Sequence, residues 1–212
     1  SLVMTKENNI KTRFLGNSDY TSVWNKMKNF TYSRDNETED ELWVTEHFPI
    51  YTLGNKVKNT RINKSSNIPL LRVDRGGDIT YHAPGQIMIY VLINIRRMGM
   101  SVSNLIYILE DAVISLMKKF DVKASRKKDA PGVYVKGEKI ASIGLRITRG
   151  SSYHGLSLNY DVDLEPFSDI DICGYQDLKA TSLKSLKISV NKKIVADTLV
   201  ELINEKITTF QT

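Results

Sequence analysis

The sequence predicts a single α/β or α+β domain. Apolar residues recur at three- and four-residue spacing in three separate segments, which is typical of amphipathic helices. A nearly continuous apolar run at 87–93 has the length of a strand buried on both faces. Short β-type segments bounded by glycine and proline turns supply further strands. Together these patterns predict a sheet covered by helices.

Length and composition agree with this class. The 212 residues suffice for one domain spanning 1–212 with a full core. Hydrophobic residues make up 41% and charged residues 25%, which excludes a disordered or collagen-like chain. No apolar run reaches the roughly eighteen residues of a membrane span, and residues 1–10 lack the apolar core of a signal peptide. We therefore expect a cytoplasmic protein that makes no use of a membrane.

Cysteine, histidine and charge limit the chemistry. A single cysteine, Cys173, excludes an internal disulfide, and the three scattered histidines do not have the spacing of a structural zinc site. Cys173 is therefore either a buried apolar residue or a reactive thiol. The net charge of +6 and the pI near 9.2 favour an acidic partner, which could be nucleic acid, a membrane surface or an acidic protein.

The first third of the chain contains one helix and two strands. A helix is predicted from Ser18, capped by Asn17 or Ser18 itself, with a core stripe of Tyr20, Trp24, Met27 and Phe30. A polar connection at 35–41 leads to a strand at 42–46. Pro49 and Gly54 delimit the next segment, and His47 is expected at or near the surface.

The middle of the chain begins with a basic loop. Residues 55–68 carry four basic residues and no acidic one, so they form either a solvated mobile loop or a docking site for an acidic protein. A strand at 71–73 delivers the chain to the segment RGGDITYHAPGQ at 75–86, and the central strand at 87–93 follows. A helix capped by Ser103 comes next, with Glu110 expected to face water.

The last third is richer in β-structure. The cluster Lys123, Arg126, Lys127 and Lys128 forms a second basic patch, for which a solvated loop is the alternative interpretation. A hairpin is predicted from strands at 133–135 and 140–148, followed by a strand that alternates strictly over 156–164. Cys173 lies in an irregular segment. Spacing of Val195, Leu199 and Leu202 predicts a closing amphipathic helix.

Two features could carry chemistry. Gly76 and Gly77 have no Cβ, so the backbone could approach a ligand closely with its N–H groups facing it, although a plain hairpin turn explains them equally well. A cysteine attacks only as the thiolate, so a nearby ammonium would have to lower a pKa that is about 8.5 in free cysteine. Lys139 could supply that ammonium, but most lysines at hairpin turns are simply solvated.

Four motifs together are more specific than any one. RGGDITYH with the following PGQ, KIASIG at 139–144, SYHGLSLN at 152–159, and Cys173-Gly174 with TSL at 181–183 occur in the order and spacing of the bacterial lipoyl(octanoyl) transferases. The chain resembles this family over about residues 40–185. The resemblance implies the fold of lipoate and biotin protein ligases, a central mixed β-sheet flanked by helices.

The resemblance also implies the site. It places the nucleophile at Cys173 and a lysine that lowers the thiol pKa at Lys139. Substrate contacts fall on Arg75, Gly76, Gly77, Asp78, Ile79, Thr80, Tyr81, His82, Ser142, Ile143, Gly144, Gly155, Leu156 and Ser157, with His154 as a further candidate. The family more often has Gln at position 78, Gly at 83, Pro at 172 and Ile at 175, differences that concern acyl specificity rather than the reaction.

The implied reaction is transfer of an octanoyl group from octanoyl-acyl carrier protein, through a thioester on Cys173, to a lysine of a lipoyl domain. Acceptors would be the lipoyl domains of 2-oxoacid dehydrogenase complexes and the glycine cleavage H protein. Because a thioester is converted to an amide, neither ATP, a metal nor another cofactor is expected. Both partners are acidic as a class, so the positive charge needs no nucleic acid, and we expect a monomer.

Two alternatives stay open. An ATP-dependent lipoate or biotin ligase of the same fold would need no cysteine, but the chain lacks both a GRGRxGR-type loop and the SGGG pattern. A basic nucleic-acid-binding module would show aromatic residues interleaved with basic ones, or an Arg-rich recognition helix, and neither is evident.

Overall fold

The computed structural model describes residues 9–57, 67–170 and 179–211. The strands are β1 (Ile10–Ser18), β2 (Asp40–His47), β3 (Ile50–Leu53), β4 (Leu70–Arg72), β5 (Ile79–His82), β6 (Gln86–Leu92), β7 (Ser125–Lys127), β8 (Ala130–Val135), β9 (Glu138–Thr148) and β10 (Ser151–Asn159). The helices are α1 (Tyr20–Ser33), α2 (Ile95–Met98), α3 (Val102–Lys119), α4 (Glu165–Ser168) and α5 (Lys192–Thr208). Every helix in these ranges is too short or too polar to traverse a lipid bilayer.

The strands form two sheets. The larger has the order β1-β2-β6-β10-β9-β8-β7, with β1 and β2 parallel and the other neighbours antiparallel. The smaller has the order β4-β3-β5 and pairs β3 parallel to β4 and antiparallel to β5. The predicted mixed sheet flanked by helices is confirmed.

Strand β6 shows why the run at 87–93 is continuously apolar. Ile87, Ile89 and Val91 belong to the core that α3 and α5 cover, whereas Met88 and Tyr90 face the core beneath α1. Both faces are buried, so alternation is lost. The predicted central strand is confirmed.

The beginning of α1 differs from its prediction. Asp19 caps the helix by accepting a hydrogen bond from the Ser22 N–H at 3.0 Å, so the predicted caps are wrong. The residues before it are strand β1, which pairs with β2 at the edge of the sheet and is too polar to be recognised by alternation. Val23 is buried in the stripe, whereas Trp24 and Phe30 are only half-buried.

Three polar residues that were expected near solvent are buried. Asp40, the first residue of β2, pairs with Arg34 at 2.7 Å, so the polar connection ends one residue before it. Glu110 is also buried, because its carboxylate accepts from the Gly132 N–H at 3.2 Å. His47 is fully buried. Asp40 also accepts from the distant Asn94 N–H at 2.8 Å. Each prediction failed because a partner brought close by the fold satisfies the polar group.

The remaining corrections concern ends of elements. Ser101, not Ser103, caps α3 through a reciprocal pair with Asn104. Strand β10 ends at Asn159 rather than 164, because the N–H groups of Tyr160 and Asp161 both donate to Gly85 O and turn the chain. The hairpin of β8 and β9 and the closing helix α5 are confirmed. The interval 123–128 contains the short edge strand β7.

Most of the 55–68 loop, residues 58–66, lies outside the described residues, as does 171–178 with Cys173.

Candidate active site

The segment 74–78, here called the Arg75 loop, joins the two sheets. On one side its backbone bonds to the end of β3: Gly54 N–H donates to Asp78 O at 3.1 Å, and Lys56 N–H donates to Gly77 O at 3.0 Å. On the other side Gly76 N–H donates to Leu145 O of β9 at 2.9 Å. The expectation that this N–H faces a ligand is therefore wrong.

The Arg75 side chain holds the loop from inside. Its Nη1 donates to Gly76 O at 2.9 Å and to Asp78 O at 3.0 Å. Its Nη2 donates to Thr52 O at 2.9 Å and to Thr52 Oγ1 at 2.8 Å. Burial lowers the pKa of the guanidinium, which is 7% exposed. These four bonds make Arg75 a clamp between β3 and the loop.

The space around the loop requires glycine mainly at Gly54 and Gly144, which face Gly77 and Gly76, and less at Gly76 itself. A Cβ on Gly54 would lie 2.3 Å from Gly77 O, and one on Gly144 would lie 2.9 Å from Gly76 O. A Cβ on Gly76 would meet its nearest atom at an ordinary 3.5 Å. The Arg75 loop is therefore pressed between the backbones of two neighbouring segments.

The predicted triplets on β9 and β10 lie side by side. Gly144 is paired with Gly155, Ile143 with Leu156, and Ser142 with Ser157. Gly144 also touches the loop, since its position for a Cβ is 3.1 Å from Arg75 Cδ. The fold thus brings residues 75–78, 142–144 and 155–157 to one place. Ile79 and Tyr81, in contrast, point into the apolar core of the smaller sheet.

All three histidines of the chain meet in one buried cluster beside the loop. The Tyr20 ring lies 5.1 Å from His47 and stacks 5.8 Å from His82, and the Tyr90 ring lies 6.4 Å from His154. All five side chains are at most 4% exposed. Burial lowers the pKa of each histidine, to about 3 for His82, so all three are neutral at neutral pH.

Hydrogen-bond partners assign the proton on two of these rings. His47 Nδ1 lies 2.9 Å from Ser18 O, which can only accept, so Nδ1 carries the hydrogen and Nε2 accepts from the Tyr90 hydroxyl at 2.5 Å. His154 Nε2 lies 2.7 Å from a carboxylate oxygen of Asp74 and donates to it. Its Nδ1 is then the acceptor for the Tyr20 hydroxyl at 3.5 Å.

Asp74 fastens the base of the Arg75 loop to this cluster. Its carboxylate accepts from Trp24 Nε1 at 2.9 Å, from the Tyr153 hydroxyl and from His154. Burial alone would raise the pKa of Asp74, but the bonds from His154 and Tyr153 outweigh it and lower the pKa to about 2. Sequence reasoning missed Asp74, Tyr20 and Tyr90, and dismissed His47.

Lys139 lies in a different environment, near the β7 edge of the larger sheet. It is half-buried, and its Nζ lies 5.6 Å from the centre of the Tyr134 ring, which Lys127 Nζ approaches at 4.4 Å. Burial lowers the pKa of Lys139; the charge of Asp78 opposes this shift, while Arg75 and Lys127 add to it. A proton on this amine is therefore easier to remove than on a solvated lysine.

The backbone beside Lys139 is paired with the segment that follows Cys173. Lys139 N–H donates to Lys179 O at 2.9 Å, and Thr181 N–H donates to Lys139 O at 2.9 Å. This short parallel ladder fixes residues 179–181 next to the lysine. Cys173 itself lies outside the described residues, six positions before Lys179.

Sequence comparison finds close relatives of this chain. A family model described as the lipoyl protein ligase A/B catalytic domain matches residues 19–206. A protein named octanoyltransferase from Psychromonas ingrahamii is 44% identical over 203 residues, which cover 96% of this chain and 94% of that protein. Another octanoyltransferase, from Vesicomyosocius okutanii, is 49% identical over 172 residues, covering 81% and 84%.

Solved structures resemble the fold at low sequence identity. Lipoate-protein ligase A bound with ATP matches with a TM-score of 0.76 at 13% identity, covering 93% of this chain and 85% of that one. Biotin protein ligase from Aquifex aeolicus in complex with biotin and ATP matches with a TM-score of 0.61 at 14% identity, covering 94% and 71%. At these identities the likeness concerns the fold alone.

Proposed function

The chain belongs to the octanoyltransferases that carry the lipoyl protein ligase A/B catalytic domain, and from this premise we propose that it transfers octanoyl groups from octanoyl-acyl carrier protein to lipoyl domains. The nucleophile of this reaction is Cys173, and Lys139 is its proton acceptor. The observation that carries these roles is the ladder that holds residues 179–181 against Lys139, because it ties the segment after the only cysteine to a lysine with a lowered pKa.

The first half-reaction forms an acyl-enzyme. Neutral Lys139 accepts the thiol proton of Cys173, and the resulting ammonium stabilises the thiolate. The thiolate attacks the carbonyl carbon of the carrier thioester, and the tetrahedral intermediate collapses with loss of the carrier sulfur, which takes up a proton. Octanoyl is then bound to Cys173 as a thioester, and Lys139 is neutral again.

The second half-reaction forms the amide. The amine of the acceptor lysine attacks the Cys173 thioester, and its surplus proton passes to Lys139. The Cys173 thiolate leaves. A half-buried lysine suits both steps because burial favours its neutral form and the nearby Asp78 carboxylate favours its charged form. Both protonation states of Lys139 are therefore accessible.

The octanoyl chain is proposed to lie along the Arg75 loop and the paired triplets 142–144 and 155–157. Residues 75–78 and these triplets meet at one junction, with Arg75 clamping the loop that forms one wall. His82 and His154 belong to the buried cluster behind that wall. We propose the whole chain as one catalytic domain that acts as a monomer.

Basic residues border this junction on two sides. Lys56 bonds through its N–H to Gly77, and Lys127 shares the Tyr134 ring with Lys139. Both segments were candidates for docking an acidic carrier, and the proposed acceptors are the lipoyl domains of 2-oxoacid dehydrogenase complexes and the glycine cleavage H protein. Charge reversal at Lys56 is compared with charge reversal at Lys127. On the side that docks the carrier, the reversal should raise the KM for the carrier and weaken the salt dependence of that KM. An unchanged KM in both variants would exclude both sides.

The proposed function is tested by the mass of the intact protein after brief incubation with octanoyl-acyl carrier protein. We expect one hydroxylamine-labile octanoyl adduct on the parent protein and none on Cys173→Ser. The parent should then lose the adduct when a lipoyl domain is added, with the domain gaining one octanoyl group. Transfer that requires ATP and free octanoate, and that survives in Cys173→Ser, would instead identify a ligase.

A further inference from the structure

A continuous chain of buried hydrogen bonds links the Arg75 loop to the backbone of Lys139. Its members, in order, are Arg75, Thr52, His82, Gln86, Asn159 and Thr181, all at most 7% exposed. The last of them donates its N–H to Lys139 O at 2.9 Å. The chain therefore runs between the two parts of the proposed site, from the loop to the ladder.

Backbone carbonyls determine how the two amides in this chain are oriented. Asn159 Nδ2 donates to Thr181 O at 3.0 Å, so Asn159 Oδ1 faces Gln86 as an acceptor. Gln86 Nε2 donates to that oxygen at 2.9 Å and to Tyr81 O at 3.1 Å. Because a carbonyl oxygen cannot donate, neither amide can be turned over. Gln86 Oε1 consequently faces His82 Nδ1 at 2.7 Å.

The orientation of the Gln86 amide determines the tautomer of His82. An amide oxygen only accepts, so Nδ1 of His82 must carry the hydrogen. Nε2 then has the lone pair and faces the Thr52 hydroxyl at 3.5 Å. The Thr52 oxygen accepts from Arg75 Nη2 at 2.8 Å, so its own hydrogen is available for His82. Every bond from Arg75 to Thr181 therefore donates in the same direction.

We propose that Gln86 and Asn159 are positioning residues for acyl transfer. They hold the neutral His82 ring in the tautomer with its hydrogen on Nδ1, and thereby keep the Arg75 loop and the Lys139 ladder in one fixed relation. This inference rests on the proposed function for its kinetic consequence. His82 is buried and both of its ring nitrogens are occupied, so it acts through the protein rather than on the acyl group. The low pKa of His82, with Arg75, His47 and His154 as its charged or titratable neighbours, agrees with a neutral ring.

The state of His82 is tested by long-range ¹H–¹⁵N NMR of the imidazole rings, assigned by the signal lost in His82→Gln. In the parent protein at pH 7 we expect the hydrogen on Nδ1 alone. A parent spectrum with the hydrogen on Nε2 would overturn the inference without any reference to activity.

The positioning role is tested by Asn159→Asp. The aspartate keeps the acceptor for Gln86 but loses the donor to Thr181 O, so the ladder loses its side-chain support while the His82 end remains. We expect kcat to fall on the order of a hundredfold, as for a small displacement of reacting groups, with the KM for the carrier changed less than about twofold. The control is Asn25→Asp, the same change of charge at an exposed position of α1, which should leave kcat unaltered.

A second pair covers the possibility that Asn159→Asp does not fold. Thr52→Val removes the hydroxyl without changing the shape and should lower kcat, whereas Thr52→Ser keeps the hydroxyl and should retain it. A folded Asn159→Asp or Thr52→Val protein with parental kcat would overturn the positioning role. Absence of octanoyl transfer by the parent would overturn the proposed function and the kinetic role with it, while the His82 spectrum tests the hydrogen-bond chain independently.

Discussion

The two sides of the candidate site are built in opposite ways. On the Arg75 side, the guanidinium makes four hydrogen bonds, three histidines are buried and neutral, and Asp74 accepts from three donors. On the Lys139 side, the ladder fixes the backbone, and among the described residues the half-buried amine has Lys127 and Tyr134 as neighbours. One side is a scaffold held by many hydrogen bonds, and the other presents a group that can change its protonation.

This difference shows how one site can combine a rigid loop with a reactive amine. Buried polar groups that each have several hydrogen-bond partners give the loop a single conformation, and these bonds leave little capacity for proton transfer. A lysine that is held by its backbone, and whose amine has no hydrogen-bond partner in the described part of the chain, keeps that capacity. We therefore expect substitutions on the Arg75 side to affect stability first, and those at Lys139 to affect activity first.

The largest effect is expected for Lys139→Met. Removing the amine while keeping the length of the side chain should lower kcat roughly 10²- to 10⁴-fold, the usual contribution of a positioned acid or base. Urea unfolding should change little, because the backbone ladder is kept. Lys119→Met, an exposed lysine of α3, is the control and should have parental activity. Parental kcat in Lys139→Met would remove the contrast between the two sides.

Gly54→Ala should have the next largest effect, on stability. The added Cβ would lie 2.3 Å from Gly77 O and 2.5 Å from Arg75 Nη1, so the Arg75 loop must shift. We expect a loss of about 3 kcal/mol in the free energy of unfolding. Gly76→Ala, whose nearest neighbour is 3.5 Å away, should cost no more than about 0.5 kcal/mol in the same urea titration. Equal losses would show that the loop is not sterically confined.

The histidine cluster should make stability depend on mild acid. In the unfolded chain a histidine takes up its proton near pH 6.5, whereas burial holds the pKa of His82 at about 3 in the folded state. The unfolded state thus binds more protons in this window, and stability falls as the pH falls. His82 alone should cost about 2 kcal/mol between pH 7 and pH 5, above the range where carboxylates titrate. Urea unfolding that is unchanged between these pH values would contradict buried neutral histidines.

The smallest effect is expected for Asp78→Asn. The exposed Asp78 carboxylate raises the pKa of Lys139 against burial, so its removal should lower that pKa further. The acidic limb of the pH–kcat profile should move to lower pH at low salt, and by less at high salt. Asp121→Asn, exposed with a φ of 57° that asparagine tolerates, is the control. A shift in the opposite direction would exclude Asp78 as a neighbour that matters.

Local patterns allowed much of the fold to be predicted. The buried run of β6, the hairpin of β8 and β9, and helices α3 and α5 follow from periodicity and turn residues. Strand β1 and the edge strand β7 were missed because their residues are polar and half-exposed, which leaves no alternation to detect. The site motifs were found only because several of them agreed in order and spacing with one family.

The sequence by itself determined the periodic elements, the reaction class and the two residues proposed to react, since these depend on neighbours in the chain or on motifs that can be compared. Tertiary structure alone decided that Asp74, Tyr20, His47 and Tyr90 belong beside the loop, and that Gln86 and Asn159 connect it to Lys139. The physical reason is that a buried polar side chain is stable only with partners from distant segments. The partners come together only in the folded chain, and no local sequence pattern specifies them.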